Sequence, residues 1–181
     1  LADDLRVLPY HGRHLEVEVD DRDLRGGEKN WQWVRRGVPI RLEVGPRDME
    51  GDSVFMARRD KSPKDKASLP RAEFLSTVTD ILDDMQAGMF ERAVAFRESH
   101  TRVIDDAAEF REWFTAPAGE PTPPHAGFAM THFCGDVAVE EQIADELGVT
   151  VRCIPFGDDE PGTCPFSGKP SAKRVVWAKS Y

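Results

Sequence analysis

The sequence predicts an α/β protein of two small domains, and three observations carry that prediction. Over residues 38–44 the apolar Val38, Ile40, Leu42 and Val44 alternate with the charged Arg41 and Glu43, the period of a strand with one charged face. Between 70 and 100, Phe74, Val78, Ile81, Met85, Met89, Ala93 and Phe96 recur at spacings of three and four, the stripe of a long amphipathic helix. Beyond His100 the pattern changes, and shorter strand-like and helix-like stretches alternate to the end.

Taken in order, residues 15–19 alternate Leu15, Val17 and Val19 with Glu16 and Glu18, which predicts a strand. A polar turn ends in Gly26-Gly27, and the Trp- and Arg-rich stretch from Lys29 to Arg36 reads as a short helix. The strand at 38–44 leads into Gly45-Pro46-Arg47-Asp48, read as a turn, and then into a strand at 53–60 and a polar loop at 60–66. Ser68-Leu69-Pro70 suits a capped start to the long helix, with Gly88 as a weak interior point. A short strand near 101–104 precedes a helix at 107–114, with Asp106 and Glu109 at capping-box spacing. Four prolines between Thr115 and Ala126 make a loop. Residues 127–133 read as a strand, 137–147 as a helix beginning beyond Asp136, 149–156 as a strand and 173–181 as a last strand. The domains are accordingly placed at 1–100, with the long helix at 70–100 as its connector, and at 101–181.

The chain has 181 residues, 40% of them hydrophobic, which suffices for one sizeable core or two small ones. No apolar run approaches the roughly 18–20 residues that a bilayer crossing needs, and no basic segment leads into an apolar one at the start. Cys134, Cys153 and Cys164 are odd in number and widely spaced, so the expectation is a reducing cytoplasm without a disulfide framework. The net charge is −9, yet residues 29–66 hold ten Lys/Arg against six Asp/Glu. An acidic protein with one basic segment suits RNA contact confined to that segment.

Within it, Lys29, Trp31, Gln32, Trp33, Arg35 and Arg36 interleave aromatic and guanidinium groups on one short helix, beside Arg41, Glu43 and Arg47-Asp48. That mixture suits stacking of unpaired bases and neutralisation of phosphate. A solvated helix whose tryptophans pack on a sheet accounts for the same residues. Asp83-Asp84 and Asp158-Asp159-Glu160 read as solvated charge, and no nucleophile–base pair or phosphate-cradling loop stands out.

The run from Arg36 to Asp48, Arg-Gly-Val-Pro-Ile-Arg-Leu-Glu-Val-Gly-Pro-Arg-Asp, preceded by VEVDDRD, a Gly turn, Lys29 and Trp33, resembles the anticodon-binding domain of the prolyl-tRNA synthetases. ERAVAFRESHTRVID, HFCGD, VRCIPF, CPFSGKP and the terminal KRVVWAKSY resemble the C-terminal extension of that family's archaeal and eukaryotic-like branch. The resemblance implies an anticodon-binding α/β domain with a mixed sheet, lacking its first strand, followed by a small α+β domain. It implies a C-terminal fragment of a class II enzyme, dimeric and cytoplasmic, which uses ATP and Mg²⁺ to activate proline and charge the proline tRNA. The resemblance places the catalytic domain upstream and implies neither DNA nor membrane as a partner. A free-standing RNA-binding module descended from such an enzyme is the alternative, decided by the upstream reading frame.

By position the resemblance nominates Lys29, Gln32, Trp33, Arg36, Arg41, Glu43, Arg47 and Asp48 as the anticodon site. Proline codons begin CC, so two adjacent guanines must be read: carboxylates suit their N1–H and N2–H₂ donors, Arg and Lys their O6 and N7. Glu28 and Gln32 depart from relatives, which often have an aromatic and a Glu there. An amide has a single acceptor oxygen where a carboxylate has two, so guanine reading is weakened or moved to Glu28. Zinc-bearing relatives place four cysteines where this chain has Cys134, Val139, Cys164 and Ser167, and two ligands of four imply that zinc is lost. The resemblance also makes Tyr181 the end of a tail folding toward the catalytic domain.

Overall fold

The computed structural model describes residues 1–115, 127–157 and 159–179, and the chain divides into two compact units, Leu1–Glu91 and Arg92–Tyr181. The Pro-rich stretch predicted as a loop lies outside the described residues beyond Thr115, as does Tyr181 with its predicted tail.

The first unit runs α1 (Ala2–Arg6), β1 (Pro9–Tyr10), β2 (Arg13–His14), α2 (Gly26–Arg35), β3 (Ile40–Glu43), α3 (Pro46–Glu50), β4 (Ser53–Arg58) and β5 (Lys66–Pro70), then enters α4 (Arg71–Ser99). Its main sheet has the order β3-β4-β5, antiparallel throughout, with Leu42 opposite Met56 and Met56 opposite Ala67. The expected mixed sheet is therefore not in this unit. One face of the sheet and one of α4 close on Leu5, Val54, Met56, Phe74 and Val78, with Ile40, Leu42, Leu69 and Ile81 around them. At about 25 cal/mol per Å² of apolar surface removed from water, this burial is the main favourable term for the unit.

Three predicted elements differ here. Residues 15–19 form no strand, because no strand lies beside them to complete a ladder. Leu15 and Val17 still pack on the core, and the segment is held by Leu15 N–H donating to Leu8 O (3.1 Å) and by the Arg6 guanidinium donating to Val17 O. Gly45-Pro46-Arg47-Asp48 is the start of a short helix, with Pro at the first turn where its missing N–H costs nothing. Ser68-Leu69-Pro70 ends β5, and α4 starts one residue later, since these residues pair with 53–55 of β4. The α4 stripe is buried at Phe74, Val78 and Met85, while Ala93 and Phe96 are exposed.

The second unit contains β6 (Thr101–Val103), α5 (Ala107–Phe114), β7 (Phe128–His132), α6 (Val137–Leu147), β8 (Val149–Cys153), β9 (Gly162–Thr163), β10 (Pro170–Ser171) and β11 (Arg174–Lys179). Here the sheet is mixed, in the order β6-β7-β11-β8, with only β6 and β7 parallel. Both helices start where sequence places them: Asp106 accepts from Ala108 N and Glu109 N, and Asp136 accepts from Ala138 N. Gly148 ends α6 at φ 66°, a left-handed position that glycine adopts without strain. The core centres on Trp177, fully buried, whose indole meets Phe110, Phe133 and Phe166 edge-on at 5.1–5.7 Å. The β9–β10 ribbon is an addition that the sequence pattern did not signal.

Candidate nucleic-acid interface

The α2 helix has no fully buried residue, and its two long faces have different fates. At about 100° per residue, Lys29, Gln32, Trp33 and Arg36 fall on one side and Glu28, Trp31 and Arg35 on another. Gly37, at φ 79°, then turns the chain into β3, a conformation that a side chain would resist, and the Arg59 guanidinium donates to its carbonyl (3.0 Å).

The first side of α2 is organised by Asp20. Its carboxylate accepts from Trp33 Nε1 (2.7 Å) and bidentately from Arg22 (2.8 and 2.7 Å), while its main-chain oxygen accepts from Lys29 Nζ (3.1 Å). Arg22 also donates to Gln32 Oε1 (2.9 Å), joining the loop to the helix. The Arg22 hydrogen bonds, opposed by partial desolvation and aided by Trp33, hold the Asp20 carboxyl well below the ordinary carboxylate range. Arg36 closes this side, its guanidinium carbon 4.9 Å from the centre of the Trp33 ring.

Glu43, at the end of β3, accepts from Lys66 Nζ (2.6 Å) and Asn30 Nδ2 (3.3 Å), and the Lys66 ammonium keeps it charged to lower pH than usual. Asp48 accepts from Gly45 N (2.9 Å) and so secures the start of α3. Arg41 lies half-buried in β3 with Nε and Nη1 shielded from water and without a hydrogen-bond partner among the described residues. Arg47 is exposed on α3.

Of the eight nominated residues, five stand on α2 and β3, Arg36 caps the end of α2, and two stand on α3. Lys29, Gln32, Trp33, Glu43 and Asp48 are engaged within the protein, whereas Arg36, Arg41 and Arg47 keep donor groups uncommitted to any acceptor among the described residues. Sequence reading missed Asp20, Arg22 and Lys66. The acidic run 20–23 before the Gly turn was the only local signal, and it says nothing of a contact thirteen residues onward.

In the second unit, Cys134 Sγ lies 3.3 Å from Ser167 Oγ, Cys164 is fully buried, and Val139 on α6 has no donor atom. Lys169 Nζ bonds Asp136 Oδ2 (2.6 Å) beside this cluster. Among the described residues no group of three or more His, Cys, Asp and Glu could hold a metal ion. Two thiols and one hydroxyl do not fit the closed tetrahedral set of a structural zinc site.

Two family models match the chain: the anticodon binding domain over residues 7–81, and the C-terminal domain of prolyl-tRNA synthetase over residues 124–181. The α2–β3 face thus sits in an anticodon-binding domain, which defines the class of the first unit. The proline–tRNA ligase 2 of Anaeromyxobacter dehalogenans is 52% identical over 185 residues, covering 100% of this chain and 36% of the relative. The proline–tRNA ligase of Bdellovibrio bacteriovorus is 45% identical over 183 residues, with the same coverages. A crystal structure of prolyl-tRNA synthetase from Cryptosporidium parvum, complexed with L-proline and AMP, superposes with a TM-score of 0.73 at 26% identity, over 92% of this chain and 34% of that one. The chain belongs to the prolyl-tRNA synthetases and corresponds to their C-terminal part, spanning little more than a third of the length of the curated relatives. No helix among the described residues is long and apolar enough to cross a membrane.

Proposed function

We propose that this chain reads the anticodon of a proline tRNA for a dimeric, cytoplasmic ligase. A catalytic domain outside the chain activates proline with ATP and Mg²⁺ and transfers it to that tRNA. The observation that carries the reading is the exposed α2 face beside β3, basic and aromatic together, in a domain matched by an anticodon-binding model.

Its chemistry divides between positioning and reading. Asp20 and Arg22 fix Trp33 and Gln32, so α2 meets RNA as a rigid platform with little ordering left to do. Reading guanine needs donors for O6 and N7 and acceptors for N1–H and N2–H₂. Nε and Nη1 of the half-buried Arg41 are shielded from solvent, so the remaining guanidinium nitrogen, Nη2, is the donor that meets guanine O6 or N7. Gln32 has its oxygen taken by Arg22, so it serves the platform while Glu28, exposed one turn earlier, faces the donors. Arg36 and Arg47 neutralise phosphate.

The test is binding of a proline tRNA transcript and of other tRNAs to Arg36→Ala and Arg41→Ala. Arg41→Ala is expected to weaken the proline tRNA by roughly 10-fold or more and the others less, as loss of a guanine contact worth about 1–3 kcal/mol requires. Equal losses across all transcripts would reduce both residues to phosphate neutralisation.

The second unit is proposed to keep its fold without zinc, on its aromatic core, the Cys134–Ser167 contact and the Lys169–Asp136 pair. Stoichiometric zinc in purified protein would overturn that part.

A further inference from the structure

The nominated site leaves one row of α2 unexplained. Trp31 is 63% exposed in the middle of the helix, and neither its ring nor its indole N–H has a partner among the described residues. Its neighbours along the same row are Glu28, three residues back, and Arg35, four residues on, both exposed. The other row behaves differently: Lys29, Gln32 and Trp33 are half-buried and bound to Asp20 or Arg22. The Glu28 carboxylate makes no hydrogen bond or ion pair among the described residues, although its charge reaches Arg22.

An indole in water forgoes the burial that its large apolar surface would otherwise gain, and tryptophan is no better a helix former than the Lys or Ala that would serve a solvated position. A flat aromatic face bracketed by a guanidinium suits one kind of occupant especially well: a nucleobase, whose π-face stacks on indole whatever its identity, with its phosphate against the cation. A protein partner is less favoured, because the exposed apolar neighbour of Trp31 on α2 is Val34 alone, three residues on, and Glu28 and Arg35 flank the pair with charge.

We propose that Trp31 is a stacking platform for an unpaired base of the bound RNA loop, with Arg35 bracing that nucleotide's phosphate. The inference rests on the tRNA reading above but assigns a separate role: Trp31 supplies affinity without selecting a base, while Arg41 supplies selection. It lies outside the eight residues nominated for anticodon reading.

The experiment measures binding of this chain to an anticodon stem-loop, unchanged or with each guanine replaced in turn, for wild type, Trp31→Ala, Trp31→Phe and Arg35→Ala. Trp31→Ala is expected to weaken every loop by about the same factor, roughly 5- to 100-fold, leaving the guanine preference intact. Trp31→Phe retains a π-face and stays within roughly 3-fold of wild type, which rules out misfolding as the cause. Arg35→Ala lowers the salt slope by about one ion. A 2-aminopurine placed in the loop is quenched by wild type and not by Trp31→Ala. Unchanged affinity in Trp31→Ala, with wild-type guanine preference preserved, overturns the stacking role alone. Loss of guanine preference in the wild type itself overturns the anticodon reading instead. A Trp31→Ala variant that binds RNA normally but loses a protein partner would also contradict the platform.

Discussion

The two units hold themselves together by different means. The second gathers Trp177, Phe110, Phe133 and Phe166 into a ring-on-ring core beneath a four-stranded sheet. The first has a core that is mostly aliphatic, and it fixes α2 from outside that core through carboxylates, Asp20 above all, with Glu43 reaching Asn30. Apolar burial gives stability without much direction, whereas a charged hydrogen-bond hub gives direction at a site that must remain wet. A surface proposed to meet RNA cannot be secured by being buried.

The sharpest way to break this contrast is at Trp177. Trp177→Ala removes a fully buried indole and is expected to cost about 3–5 kcal/mol in urea unfolding. A loss under about 1 kcal/mol would mean that the rings do not form the core of that unit. Next comes Gly127→Ala, where φ is 78° and a Cβ would stand 2.7 Å from His100 O and 2.9 Å from the Trp113 ring. Left-handed strain and that clash together predict a loss of about 2–4 kcal/mol.

Asp20→Asn sharpens the other side of the comparison. A carboxyl whose folded pKa is depressed stabilises the fold above its unfolded value, near 4 for a model Asp, and that contribution disappears as pH falls toward the folded value. The difference in stability between wild type and Asp20→Asn is therefore constant from about pH 5 to 8 and shrinks below about pH 4. Urea melts across that range check it, and a pH-independent difference would detach the effect from the charge. The smallest effect belongs to Arg36→Ala, where an exposed cation–π contact is worth about 0.5–1 kcal/mol to stability.

The same contrast explains what the sequence made legible. Helices α5 and α6 could be placed to the residue because each has an Asp cap followed by apolar residues at helical spacing, and both signals are local. Alternation at 15–19 misled, since the pattern records which side chains point inward and not whether a neighbouring strand exists. The Gly-Pro-Arg-Asp segment carries turn residues and helix-start residues at once, and Asp48 bonding back to Gly45 settles it as a helix. For the interface, the basic and aromatic composition of α2 was visible, whereas which of its tryptophans packs inward was left open. What could not be read was the division of labour along the helix. That depends on Asp20 reaching Trp33 and on Lys66 reaching Glu43, contacts between segments far apart in sequence that no spacing rule encodes.

The central question is whether the α2–β3 face reads bases. Affinity of this chain for a proline anticodon stem-loop, measured with each of the two guanines replaced singly, gives that answer. Losses of roughly 5-fold or more at each guanine are predicted, in line with about 1–3 kcal/mol per specific base contact. Equal binding of the substituted and unsubstituted loops would contradict the account.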